Sequence, residues 1–192
     1  MKTARRFGLI LILFVFPVML LAHRLDEYLQ ATRLSVGLDR IILKTDLTPG
    51  VDVAPLVFSL INTNHDGRIS EAEGRAYANR VLEETAIEVD GRRQHLDLVS
   101  FQYPSFQEMT AGVGTIRIEA RASWRGTPGR HSLSYQNNHR PDLGVYLVNA
   151  LVPASREIEI TEQNRDPRQR GIRLGFNVMP FPGPKSLITD GH

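Results

Sequence analysis

Apolar and polar residues alternate with a period of two along most of this chain. Tyr28 to Val36 and Ile41 to Leu47 each read as a half-buried strand, joined at Gly37-Leu38-Asp39-Arg40. Thr48-Pro49-Gly50 breaks the alternation. Val53, Leu56, Val57, Leu60 and Ile61 then fall at helical spacing. A second helix is predicted from Ser70 to about Glu84, with Tyr77, Val81 and Leu82 on its buried face. Ser70 is a natural N-cap, and Glu73 three residues on completes a capping box.

Strand patterning resumes directly after this helical pair. Ala86 to Val89 leads into Asp90-Gly91, a strong hairpin signal, with His95 to Phe101 as the expected return strand. Ile116, Ile118, Ala120, Ala122 and Trp124 alternate with Arg117, Glu119, Arg121 and Ser123, the clearest strand in the chain. Further strands are expected at His131 to Tyr135, Val145 to Val152, Glu157 to Thr161 and Ile172 to Val178. Many short strands separated by turn residues predict an α+β fold, mainly an antiparallel β-sandwich, with an inserted helix-loop-helix over residues 53–84.

The segment joining the two helices carries the most specific chemistry. Asn62, Asn64 and Asp66 stand at positions one, three and five of a twelve-residue EF-hand-like pattern. Gly67 is at six, where the backbone turns sharply; Arg68 at seven need offer only its carbonyl. Ser70 at nine binds directly or through water, and Glu73 at twelve can give both carboxylate oxygens. Calcium is a hard cation that takes six to eight oxygens, so Asn62, Asn64, Asp66, Arg68, Ser70 and Glu73 form a candidate ligand set. Asn62 replaces the usual Asp and leaves two carboxylates, which points to a single weak Ca2+ site of roughly 0.1–1 mM. Gly74 stands at position thirteen, usually apolar. A metal-free Asn/Asp/Gly turn is the competing reading.

Composition bounds the rest. The chain has 192 residues and no cysteine, so its fold rests on a core and not on a disulfide framework. Lys2, Arg5 and Arg6 precede an apolar run from Gly8 to Leu21 closed by Ala22, the pattern of a secretory signal peptide over residues 1–22. An uncleaved N-terminal anchor is the alternative. Three of the 23 basic residues belong to that segment, leaving twenty against 21 acidic ones, near −1. The high pI therefore gives no case for nucleic-acid binding. A periplasmic or secreted β-rich domain is expected over 23–178, followed by a flexible, Pro-rich tail over 179–192.

Candidates for other chemistry are sparse. His23 would become the first residue of the exported chain, where an α-amine and an imidazole together can chelate copper or nickel. His95, His131 and His139 are scattered, and a lone histidine is more often exposed or hydrogen-bonded than a ligand. There is no Cys nucleophile, G-x-S-x-G, H-E-x-x-H or phosphate loop. The adjacent carboxylates Asp26-Glu27 and Glu83-Glu84 read as solvated charges, as does the loop of four arginines from Arg165 to Arg173. No enzyme activity and no small-molecule substrate are indicated.

Several segments together resemble a known family. Ala22-His23-Arg24-Leu25-Asp26-Glu27-Tyr28-Leu29-Gln30, Leu47-Thr48-Pro49-Gly50-Val51, the helix start Ser70 to Ala78 and the late Val148 to Pro153 carry the likeness. As a set they resemble the extracytoplasmic N-terminal domain of HupE/UreJ-type and nickel/cobalt-transporter-like bacterial membrane proteins, over most of residues 22–178. The resemblance implies an envelope location and a membrane protein or transporter as partner. It carries no transport activity to these residues, because the family's transmembrane helices lie beyond the matched region. Two functions follow as expectations: a non-enzymatic calcium-binding structural or interaction module, and an accessory metal-handling domain for a nickel, cobalt or copper system centred on His23.

Overall fold

The computed structural model describes residues 26–180. The expected signal peptide, His23 and the tail from residue 181 lie outside them. The chain begins with strands β1 (Tyr28–Val36) and β2 (Arg40–Pro49), followed by helices α1 (Ala54–Ile61) and α2 (Glu71–Glu83). Strands β3 (Thr85–Val89), β4 (Arg92–Arg93) and β5 (Asp97–Gln102) precede a short helix, α3 (Phe106–Thr110). Five strands complete the fold: β6 (Ile116–Ser123), β7 (Gly129–Asn137), β8 (Gly144–Ala150), β9 (Ile158–Arg165) and β10 (Gly171–Val178).

The strands form two five-stranded sheets, in the orders β5-β6-β2-β1-β8 and β4-β3-β7-β10-β9. All pairings are antiparallel except β1 with β8. That parallel pair is possible because the helical pair and six further strands separate its members in sequence. The fold is thus β-rich with few helices, as the alternation predicts, and the helical pair sits between β2 and β3.

Two local expectations need correction, and two features go beyond what the pattern predicts. β2 runs on through Pro49, whose ring sits at the end of the ladder opposite Tyr28. The Asp90-Gly91 turn closes a hairpin, with φ of 51° and 74° at its two central residues, but the return strand is only Arg92–Arg93. The chain then crosses to the other sheet, where β5 pairs with β6. Helix α3 lay hidden in a segment too short to show a period, although Ser105 and Glu108 form the same capping box as Ser70 and Glu73. Finally, β8 joins β1 in parallel, a long-range choice that local patterning does not reveal.

Burial follows the alternation. On β1 the inward residues are Tyr28, Gln30, Thr32, Leu34 and Val36; on β2 they are Ile41, Leu43, Thr45, Leu47 and Pro49. The core has two parts. Leu34, Val36, Ile41 and Leu43 of one sheet cluster with Ile87, Leu133, Leu174 and Phe176 of the other. Tyr28, Leu47, Ile116 and Ile118 cluster with Val57, Ile61, Tyr77 and Val81 of the helices. Between them along β1 and β2 runs a polar belt. Thr32 Oγ1 lies 3.1 Å from Thr45 Oγ1 and 2.9 Å from Tyr135 Oη, so hydroxyls of both sheets satisfy one another.

Candidate functional site

The segment Asn62–Glu73 links α1 to α2 and is folded by its own polar groups. Pro55 occupies the first turn of α1, where a missing N–H costs nothing. The helix ends at Asn62, whose N–H donates to Phe58 O at 2.9 Å. His65 and Gly67 then take positive φ, 59° and 82°. Glycine adopts that conformation without strain, and histidine is among the side chains that tolerate it. Asp66 N donates to Asn64 Oδ1 at 3.0 Å and Arg68 N donates to Asp66 Oδ1 at 2.8 Å, two successive Asx-type turns. Asn64 Nδ2 donates to Asp66 Oδ2 at 3.2 Å.

Glu73 closes the loop. Its Oε1 accepts from Thr63 N at 2.8 Å, Thr63 Oγ1 at 3.1 Å and Asn64 N at 3.2 Å. Its Oε2 accepts from Ser70 N at 2.9 Å and Ser70 Oγ at 2.7 Å. Donors to the ionised form stabilise it, so the Glu73 carboxyl is held down at about 2, first by the Ser70 N–H and hydroxyl, then by Asn64 and Thr63. The carboxylate thus stands at the N-terminus of α2, where the helix dipole also favours negative charge.

Of the six predicted ligands, Asn64, Asp66, Arg68, Ser70 and Glu73 are tied together through these hydrogen bonds. Asn62 differs. It is buried, 4 % exposed, and its Oδ1 has no hydrogen-bond partner. A buried amide oxygen left unpaired costs about 1–3 kcal/mol, a cost that a hydrogen-bond donor or a cation would remove. The five side chains and one carbonyl of the sequence pattern, Asn62 included, offer only oxygen ligands, as calcium requires: two carboxylates, two amide oxygens, a hydroxyl and the Arg68 carbonyl. Glu73 would exchange some of its present donors to reach an ion with both oxygens. Among the described residues no group of three or more His, Cys, Asp and Glu is placed to hold a metal. Any cation in the loop therefore depends on its amide, hydroxyl and carbonyl oxygens as much as on Asp66 and Glu73.

The other candidates resolve as follows. His95 is exposed, whereas His131 and His139 are hydrogen-bonded and mostly buried. His139 belongs to a buried polar group that sequence reasoning missed. Its Nδ1 is 2.6 Å from Glu84 Oε2 and its Nε2 is 2.9 Å from Tyr77 Oη, which is 2.8 Å from Tyr28 Oη. Its carbonyl accepts from Gln30 Nε2 and Tyr146 Oη. Burial pushes the His139 pKa down, and the Glu84 carboxylate offsets this only in part. Glu84 is therefore a structural partner and not only a solvated charge. The arginine loop is also tied down: Arg165 Nε donates to Val148 O and Arg170 Nε to Asn137 O. No described helix is long and apolar enough to cross a membrane.

Comparison with protein-family models, with curated proteins and with solved structures finds no match.

Proposed function

We propose that Asn62–Glu73 is an EF-hand-type calcium loop, and that the chain is an exported, non-enzymatic module of the bacterial envelope in which calcium staples the helical pair to a β-sandwich. The observation that carries this reading is the unpartnered, buried Oδ1 of Asn62 at loop position one. Every other loop side-chain oxygen named as a ligand already has a hydrogen-bond partner. A cation satisfies the one that does not. The sandwich is supported by the apolar cluster that draws residues from both sheets. The envelope location and a membrane-protein partner rest on the likeness to HupE/UreJ-type extracytoplasmic domains.

Two carboxylates and a neutral first ligand make a weak site, ~0.1–1 mM, within the range of extracellular modules. Such a site serves stability where calcium is abundant. An ion at a hundredfold its dissociation constant stabilises the folded state by about 2.7 kcal/mol. Isothermal titration of the purified protein tests the proposal. One site is expected in wild type, none in Glu73→Ala, and a tighter one in Asn62→Asp, which adds a third carboxylate. Absence of heat at several-fold the ~1 mM upper range overturns it.

A further inference from the structure

The ring of His131, on β7, lies between two acceptors. Its Nδ1 is 2.7 Å from Asp90 Oδ2, and its Nε2 is 2.7 Å from the Thr127 carbonyl oxygen. A carbonyl oxygen has no proton to give, and neither has an ionised carboxylate. Each ring nitrogen must therefore carry its own hydrogen for both bonds to exist, and a ring with two N–H groups is an imidazolium. The two acceptors belong to different segments. Asp90 is the first central residue of the β3–β4 turn, with φ of 51°, and its Oδ1 also accepts from Ser132 N at 2.8 Å. Thr127 lies in the connection from β6 to β7. The ring is only 10 % exposed and packs against Trp124 and Phe176, with centroids 5.3 and 5.5 Å away.

We propose that His131 is a proton-operated clip: as an imidazolium it fastens the β3–β4 turn to the β6–β7 connection, and one of those two ties is lost when the ring gives up a proton to solvent. The proton that leaves is the one on Nε2, because Asp90 holds the Nδ1 hydrogen by charge as well as by hydrogen bonding. Two acceptors, Nε2 and the Thr127 oxygen, then face each other without a hydrogen between them. Among the described residues, Asp90 is the ionisable group that faces the ring. Trp124 and Phe176 are uncharged, and the nearby Arg125 and Arg130 side chains are exposed. Partial burial alone would lower the ring's pKa, but the Asp90 and Thr127 bonds and the Asp90 charge outweigh it, so the pKa is raised. Asp90 in turn is held below the ordinary carboxylate value: its own desolvation works the other way, but the bonds from His131 and Ser132 prevail.

Long-range proton–nitrogen NMR of the histidine rings, from pH 5 to 9.5, tests the clip on the purified protein. At pH 7 both nitrogens of His131 should be protonated, and the Gly91 and Thr127 backbone amide signals should shift with the same midpoint as the ring. Asp90→Asn keeps a residue suited to positive φ, and Asn-Gly is itself a favoured turn, yet it removes the charge. It should lower the His131 midpoint while leaving the turn formed. A His131 ring that carries a single proton at pH 7 overturns the proposal. So do turn and connection signals that ignore the ring's titration, or a midpoint that Asp90→Asn leaves unchanged.

Discussion

Gly74 follows Glu73 in α2, and a methyl group there would stand 2.5 and 2.7 Å from ring carbons of Tyr103 and 3.1 Å from Phe101. Tyr103 cannot retreat freely, because its ring stacks on Phe101 at 6.0 Å and Arg75 covers Phe101 from 5.1 Å. The usual apolar residue at this position is thus excluded by two aromatic rings from another segment. Gly74→Ala should destabilise the fold by about 1–3 kcal/mol through overpacking, against a helix-propensity gain of about 1 kcal/mol. In a Tyr103→Ala background the two closest contacts are gone and the Phe101 ring, no longer stacked on Tyr103, can give way, so the same change should stabilise. Urea denaturation of the four proteins checks both signs. The sequence showed the glycine as a departure from the loop pattern. It did not show the reason, because Tyr103 lies 29 residues away in a stretch with no period of its own.

Short elements depend on their caps. Helix α3 has one turn and a half of residues, and Ser105 Oγ accepts from Glu108 N while Glu108 Oε2 accepts from Ser105 N and Oγ at 2.7 Å each. Ser105→Ala should cost about 0.5–2 kcal/mol, read as a fall in urea midpoint. The loss should spread to α1, because Phe106 meets Phe58 edge-on at 4.8 Å and Met109 is fully buried. Elements defined by local chemistry were legible in the sequence. β1 and β2, the Ser70 cap of α2, the Asp90-Gly91 turn and β6 all follow from alternation or from a two- to four-residue signal. The parallel β1–β8 pair, the crossing of β5 to the other sheet and the His139–Glu84 contact were not. Each is a meeting of residues far apart in sequence, chosen by the packing of the whole. The loop was legible as a ligand pattern, whereas the one oxygen left without a partner needed the burial of Asn62.

Among the described residues, His139 and His131 are expected to give the fold a stability optimum. The His139 pKa is lowered in the folded state, so its contribution is present above the ordinary 6.5 and is lost as pH falls through the folded value. The His131 pKa is raised, so its contribution is complete below 6.5 and is lost as pH rises through the folded value. Unfolding free energy between pH 5 and 9 should therefore peak near 6.5 and decline on both sides. Asp90→Asn should flatten the alkaline limb and His139→Gln the acid limb, each leaving the other in place. Chemical denaturation at unit pH steps measures this; a limb that survives its own substitution means another group causes it.

On the proposed function, a cation completes the Asn62–Glu73 loop. The most direct measurement is a calcium titration of nitrogen-labelled protein followed by NMR, with the side-chain amides of Asn62 and Asn64 and the backbone amides of residues 62–73 resolved. A saturable shift is expected with one midpoint in the ~0.1–1 mM range, strongest at the Asn62 side chain, abolished by Glu73→Ala and not reproduced by equal magnesium. Loop signals that stay fixed at several-fold that concentration, or that move while the Asn62 side-chain amide does not, would contradict it.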